Sequence, residues 1–324
     1  MSAITYIEAI REGMLEELRR DPDVYCIGED IGTYGGAFRA TAGFLKEFGR
    51  PRILDTPLSE TAIIGASIGS AMLGMRPIAE MQFADFVANG FNMLVNFAAK
   101  VHYRWGPSCP MVLRLPTGGG TRGGPFHATN PEAWFTRVPG LKVVCPATVY
   151  DAKGLMKAAV RDDNPVLYFE HKYLYRRLKD ELPEGDWTVP IGKARVVRPG
   201  THVSVITYGS MVYHAAGVAE KLSHDGIDVE IVDLRSLIPL DEEAILQSVR
   251  KTNRVVVLHE DTKTGGFGGE ISARIAEFAF EHLDAPIKRV ASLDTPVPHA
   301  PQLEDAFMPM PDDIDAAIRA TVAY

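Results

Sequence analysis

Cysteine is scarce in this sequence, long uncharged apolar runs are missing, and basic residues never cluster; each shortage removes a class of protein. Only Cys26, Cys109 and Cys145 occur in 324 residues, each within an apolar, strand-like segment and none in a C-x-x-C pair. That pattern excludes a disulfide scaffold and a cysteine zinc site, and it fits buried thiols in a reducing compartment. No apolar stretch reaches the ~20 residues that a membrane span requires. The N-terminal segment carries Glu8, Arg11, Glu12, Glu16 and Glu17, so it is not a secretory signal. A cytoplasmic protein with no membrane partner is expected. Acidic residues outnumber basic ones by 42 to 34, giving a formal net charge of −8; nucleic acid is therefore not an expected partner. The phosphate-loop lysine signature is also missing, and with it any pointer to a nucleoside triphosphate.

What is present is an ordinary globular composition, 46% hydrophobic and 23% charged, on a chain long enough for two domains. Thr5-Tyr6-Ile7-Glu8 has the form of a capping box, with Ile7, Ile10, Met14 and Leu18 following at helical spacing. Strands are expected at 24–28, 53–54, 77–83, 111–115, 141–145 and 166–170, with a long helix over 85–104 and another over 150–162. This alternation predicts an α/β fold in which a mainly parallel sheet is flanked by helices. Residues 181–199 are charged and proline-bearing and read as a linker between domains 1–180 and 200–324. The second domain repeats the pattern, with strands at 203–208, 229–234, 255–258 and 287–291. Asp241 is the expected cap of a helix reaching about residue 250, and the loop 265–269 leads into a helix reaching residue 283.

The chain is organised around Asp55-Thr56-Pro57-Leu58-Ser59-Glu60 and the helix behind it. Ser59 is an expected N-cap, which sets Glu60 in the first turn. Behind it, 61–73 carries no charge and has small residues at Gly65, Ala66, Ser67, Gly69 and Ala71. A helix apolar all round is expected to be buried, so an acid at its mouth is a candidate functional group. An ordinary first-turn acid facing the helix dipole is the competing account.

Residues 118–123 match G-x-G-x-x-G after a strand. A dinucleotide site is rejected, because Pro125 interrupts any helix there and the next helix is expected only after Asn130 as N-cap with Pro131 at its first position. The loop, which carries His127, reads instead as a mobile active-site loop, or as a plain glycine-rich connector.

Glu60 with Gly65 and Gly69, Gly28-Glu29-Asp30, the stretch from Ala79 to Phe86, His127 with Pro131-Glu132, and Val232-Asp233-Leu234-Arg235 stand together in one chain. With these motifs the sequence resembles, over essentially its whole length, the beta subunit of the thiamin-diphosphate-dependent decarboxylating component of 2-oxo acid dehydrogenase complexes. The resemblance implies a transketolase-like pyrimidine-binding domain followed by a transketolase C-terminal-like domain. It implies that Glu60 hydrogen-bonds N1′ of the cofactor's aminopyrimidine, so that the 4′ nitrogen can take a proton from the thiazolium C2. Phe86 would lie on the aminopyrimidine, and Leu58 and Gln82 would line the pocket. His127 would exchange a proton during acyl transfer to lipoate, and Glu29 would face the passage between two active sites. Asp162 and Asn164 match residues that hold a potassium ion in some relatives, although an acidic helix end followed by a turn explains them equally well.

The Gly-Asp-Gly stretch by which relatives hold magnesium and the diphosphate does not occur. An alpha subunit would supply that half of the site and its magnesium. The implied assembly is an α2β2 heterotetramer docked on a lipoyl acyltransferase, acting on a 2-oxo acid. The stretch from Ala79 to Phe86 leans toward branched-chain substrates (2-oxoisovalerate); pyruvate and acetoin dehydrogenase beta subunits are alternatives. A non-catalytic scaffold is the reading from another class.

Overall fold

The computed structural model describes residues 3–324. The chain forms two compact units, the first holding residues up to Thr117 and Trp134–Ile191, the second Gly118–Ala133 and Gly192–Tyr324. Residues 118–133, assigned to the first domain from sequence, group with the second. Lys179 and Asp180 pair antiparallel with Thr5 and Ile4, so the chain leaves the first unit only at Ile191.

In the first unit, helix α1 (Tyr6–Arg20) starts from the expected capping box: the Glu8 N–H donates to Thr5 Oγ1 (3.3 Å), and Glu8 Oε2 accepts from the Thr5 N–H (2.7 Å). Six parallel strands follow in space in the order β5–β6–β4–β3–β1–β2. They are β1 (Val24–Gly28), β2 (Ile53–Asp55), β3 (Arg76–Glu80), β4 (Val112–Thr117), β5 (Lys142–Val144) and β6 (Val166–His171). Helices cover the sheet, and strands β1, β4 and β6 are buried on both faces, which is why they read as near-continuous apolar runs. The stripe Ile7, Ile10, Met14 and Leu18 packs with Leu155, Met156 and Val160 of helix α3 (Val149–Arg161) and with Val24, Ile78 and Val166 of the sheet.

One charge interrupts the apolar interior. Arg114, in the middle of β4, is 1% exposed. Its guanidinium pairs with Glu80 at the end of β3 and, at 2.5 Å, with Glu170 on β6; the Tyr175 hydroxyl donates to Glu170 at 2.7 Å. Burial works against the Arg114 charge, but Glu170 and Glu80 outweigh it and raise its pKa. Burial likewise lifts the Glu80 carboxyl, against the pull of Arg114.

Two of the expected helices take a different form in this unit. Residues 85–104 are not one regular helix but a 3₁₀ stretch (Ala84–Gly90), a π turn (Met93–Ala98) and a short α-helix (Val101–Trp105). Gly90 lets this segment press on helix α2 (Glu60–Met72): a Cβ there would fall 2.2 Å from Ile64 Cδ1. Helix α2 itself is not buried all round. Ile63, Ile64, Ser67, Ile68 and Ala71 face the core, while Ala62, Ala66, Gly69 and Met72 are exposed, as is Leu73 just beyond the helix at 87%.

The second unit is a five-stranded sheet in the order β11–β10–β8–β9–β7, where β7 (Arg195–Arg198) is antiparallel to β9 (Val229–Asp233). The others, β8 (Val203–Thr207), β10 (Val255–Thr262) and β11 (Lys288–Ser292), run parallel. Helices α4 (Ser210–His224), α5 (Glu242–Thr252), α6 (Gly268–Phe278), α7 (Pro301–Phe307) and α8 (Pro311–Val322) accompany the strands. Asp241 precedes α5 but does not cap it; its carboxylate accepts from the Ala194 N–H at 3.1 Å. Helix α6 stops at Phe278, with a 3₁₀ turn at Phe280–His282, and α7 had no clear sequence signal.

This unit also buries titratable groups. The Tyr208 hydroxyl donates to Glu132 Oε1 at 2.9 Å, and Glu132 Oε2 is buried without a hydrogen-bond partner. Burial, followed by the charge of Asp261, pushes the Glu132 carboxyl up to about 8, and burial raises Asp261 to about 6. His259, fully buried alongside the parallel Tyr208 ring, is driven down to about 4 mainly by burial.

Replacing Arg114 by Met strands two buried carboxylates, so a loss of roughly 3–5 kcal/mol is expected in urea unfolding; a loss below about 1 kcal/mol would show that the pair is dispensable. The raised Glu132 stabilises the fold while protonated, a contribution complete below 4.5 and lost as pH rises through about 8. His259 acts with opposite sign, its contribution present above 6.5 and lost as pH falls through about 4. From pH 6.5 to about 8 Glu132 dominates, so over that window the melting temperature should fall less steeply in E132Q than in wild type; parallel curves would contradict the assignment.

Candidate functional site

Strands β3, β1 and β2 are neighbours, and the ladder register sets Gly28 opposite both Asp55 and Glu80. The residues that leave these three strand ends therefore emerge side by side. The chain passes from β1 to one neighbour, β2, and then to the other, β3, so β1 lies where the strand order reverses, the place at which open parallel sheets form ligand crevices. Glu29 follows β1 directly, Thr56 continues the ladder through its N–H to the Gly28 carbonyl (3.0 Å), and Glu60 opens α2.

Glu29 is 5% exposed, and neither of its oxygens makes a well-formed hydrogen bond. Burial raises its pKa, and the neighbouring Glu60 carboxylate raises it further; the Ser59 N–H offers a stabilisation that these two outweigh. Glu60 is half-buried in the first turn of α2. Ser59 holds the N-cap position, but its hydroxyl makes no capping bond, contrary to the sequence expectation. The first-turn amides thus lack the side-chain cap that would compete with a ligand or with Glu60 for them.

Beyond β3, the Gln82 amide donates to Asp30 Oδ2 at 3.3 Å, which ties the β3 exit to the β1 exit. Phe86 is half-buried, edge-on to Phe83 with ring centroids 5.8 Å apart. Leu58 is 79% exposed just before the helix. The Gly32 N–H donates to Asp55 Oδ1 at 2.6 Å, holding the loop after β1 against the end of β2. Two acids, an amide and an aromatic ring are thereby brought to one edge of the sheet.

Asp162 and Asn164 lie elsewhere, after α3. Asp162 Oδ1 accepts from the Asn164 N–H at 2.9 Å, and Oδ2 pairs with the Lys142 ammonium. Arg76 donates to the carbonyls of Val160 and Asp162, both at 3.1 Å, and pairs with Asp163 at 2.6 Å. Two cationic side chains engage this helix end, which agrees with the account of Asp162 and Asn164 as an acidic helix end followed by a turn. Among the described residues no group of three or more His, Cys, Asp and Glu converges as a metal site.

In the second unit, the segment after β4 forms a loop whose neck is closed by the Gly118 N–H donating to the Thr129 carbonyl at 3.2 Å. Glu260 Oε1 accepts from the Gly119 N–H (2.6 Å) and the Asn130 amide (2.9 Å), while Oε2 accepts from Ser210 (2.6 Å). Glu304, fully buried on α7, accepts from the Gly120 N–H (2.9 Å) and from Arg122 (2.9 Å). His127 is half-buried between exposed Phe126 and Ala128, which is sunk in the core of this unit. The helix expected from Pro131 begins only at Ala133 and lasts four residues. Glu260 and Glu304 escaped the sequence reading, because their partners are 141 and 184 residues away.

Residues 2–177 match the family "Transketolase, pyrimidine binding domain" and residues 192–314 match "Transketolase, C-terminal domain". The 2-oxoisovalerate dehydrogenase subunit beta of Bacillus subtilis is 52% identical, with both chains covered completely. The protein of the same name from Pseudomonas aeruginosa is 44% identical over 98% of this chain and 95% of its own length. The pyruvate dehydrogenase E1 component subunit beta of Staphylococcus aureus is 42% identical, with both chains covered completely. Among solved structures, a split gene transketolase described as an inactive beta4 tetramer superposes with a TM-score of 0.80 over 99% of each chain at 21% identity, a likeness of fold. With its pyrimidine-binding domain leading and its C-terminal domain following at full length, the chain belongs to the transketolase-related family of 2-oxo acid dehydrogenase beta subunits.

Proposed function

We propose that the chain is the beta half of a 2-oxo acid decarboxylase that works with an alpha subunit in an α2β2 assembly, binds thiamin diphosphate, and passes the acyl group to a lipoyl acyltransferase. The observation that carries this reading is the carboxyl pair at the ends of β1 and β2: Glu29, buried and pushed toward its protonated form by burial and by Glu60, beside Glu60 on the first turn of α2. Such a pair can hold a proton against a ring nitrogen. Phe86, half-buried just beyond β3, would supply the apolar ring beside them. These groups suit an aminopyrimidine.

Thiamin diphosphate, when bound, supplies the carbon nucleophile and the electron sink for decarboxylation. This chain's own contribution is to orient the pyrimidine and to keep a proton at Glu60. His127 is read as the group that gives or takes a proton when the acyl group moves to the lipoyl thiol. The diphosphate and its magnesium are left to the alpha subunit, since the sequence has no Gly-Asp-Gly stretch. The exposed apolar side of α2 supports a partner chain, because a contiguous bare apolar face is uncommon on a solitary soluble protein.

A branched-chain substrate of the 2-oxoisovalerate type is favoured, because the relatives named for it are 52% and 44% identical, against 42% for a relative named for pyruvate. Comparing kcat/KM for 2-oxoisovalerate and pyruvate in the two-subunit enzyme tests this; a preference for pyruvate would reverse it.

Glu60→Gln is expected to reduce decarboxylation, followed with an artificial electron acceptor, by on the order of a hundredfold or more, while the assembly elutes unchanged in size-exclusion chromatography. Near-wild-type turnover would favour a scaffold role. His127→Ala should spare that half-reaction and slow acylation of a lipoyl domain by on the order of a hundredfold; equal acylation rates would remove His127 from the mechanism.

A further inference from the structure

We infer that Glu260 and Glu304 are positioning residues for His127, gripping the two sides of its loop from the body of the second unit. The inference rests on the proton-transfer role proposed for His127. Glu260 uses a single oxygen, Oε1, to gather both strands of the loop neck, the Gly119 N–H at 2.6 Å and the Asn130 amide at 2.9 Å; its other oxygen is pinned by Ser210 at 2.6 Å. Glu304 takes the next amide, Gly120, at 2.9 Å and pairs through its second oxygen with Arg122, which also donates to the Pro301 carbonyl at 2.8 Å and pairs with Asp305 at 2.8 Å. Both carboxylates are buried, Glu260 on β10 and Glu304 on α7, so neither can swing away to follow a moving loop.

The grip also explains a glycine. A Cβ on Gly119 would lie 2.9 Å from Met308 Sδ and 3.2 Å from Glu304 Oε1, wedging the loop off its acceptors. At the far side of the loop, Ala128 is buried in the core cluster directly beside His127. The histidine therefore sits between two fixed points, on a loop rich in glycine that would otherwise sample many conformations. A loop tip located by buried anchors loses little entropy when an acyl acceptor arrives, and a misplacement of about 1 Å can cost on the order of a hundredfold in rate.

The test uses the complete two-subunit enzyme with Glu304→Ala, Glu260→Ala, their Gln counterparts, and Arg122→Gln, an exposed-side change that leaves the buried acids in place. Hydrogen exchange at the Gly119 and Gly120 amides is expected to quicken by about tenfold in the alanine variants, the share of one charge-assisted bond, and to recover partly with Gln, which still offers an acceptor. Acylation of a lipoyl domain should fall by about tenfold to a hundredfold, with decarboxylation by an artificial acceptor held within about twofold. Unchanged exchange across 118–130 overturns the inference whatever the activity. Faster exchange with undiminished acylation, in a background where His127→Ala is impaired, overturns the positioning role. If His127→Ala itself acylates normally, the role proposed for His127 fails, and the clasp is then judged by exchange alone. Should the alanine variants fail to assemble, Gly119→Ala, whose Cβ would crowd Met308 and Glu304 Oε1, carries the same comparison, with Arg122→Gln as the control that keeps both acceptors.

Discussion

Arg114 is the constraint on which the first unit depends. A guanidinium inside a parallel sheet would be prohibitively desolvated without partners, and here it is met from both sides, by Glu80 on β3 and Glu170 on β6. The three strands are thereby tied by charge as well as by the backbone ladder. Glu80 is the last residue of β3 and lies opposite Gly28, the last residue of β1. The pairing thus fixes the level at which the sheet ends, and so the level from which Glu29, Gln82 and Phe86 project.

The edge so defined concentrates acid. Glu29 is buried with no well-formed hydrogen bond, and Glu60 stands close enough to shift its titration. Unpaired buried carboxyls are costly, and such costs are usually tolerated where the strained arrangement is used. In the second unit Glu260 and Glu304 are buried but fully engaged: each gives one oxygen to a backbone amide of the loop that carries His127, and the other to Ser210 and to Arg122 respectively. Glu29 leaves its oxygens available, whereas Glu260 and Glu304 act as fasteners.

Much of this was legible in the sequence because the relevant signals are local. Strands buried on both faces appear as apolar runs, the Thr5–Glu8 box is a four-residue pattern, and a proline before an acid at a strand-to-helix switch marks Glu60. What stayed hidden was non-local or depended on surroundings. Nothing near Gly119 announces Glu260 or Glu304, far along the chain. The periodicity of 85–104 signals a helix but cannot tell α from 3₁₀ or π hydrogen bonding. Ser59 has the right identity for a cap, yet its hydroxyl makes no capping bond. The uncharged composition of α2 suggests complete burial but says nothing of what does the burying, and the chain alone covers only one side.

Under the proposed function, that half-covered helix would link quaternary structure to proton chemistry. Glu60 is its first residue, while Ala66, Gly69 and Met72 form its bare flank. Small side chains there allow another backbone to come near, and a rod supported along both flanks frays less at its tip than one wetted along half its length. In the proposed assembly the firmness with which the acid is aimed would accordingly depend on the partner: a solitary copy would carry every atom of the carboxylate and still hold it less steadily.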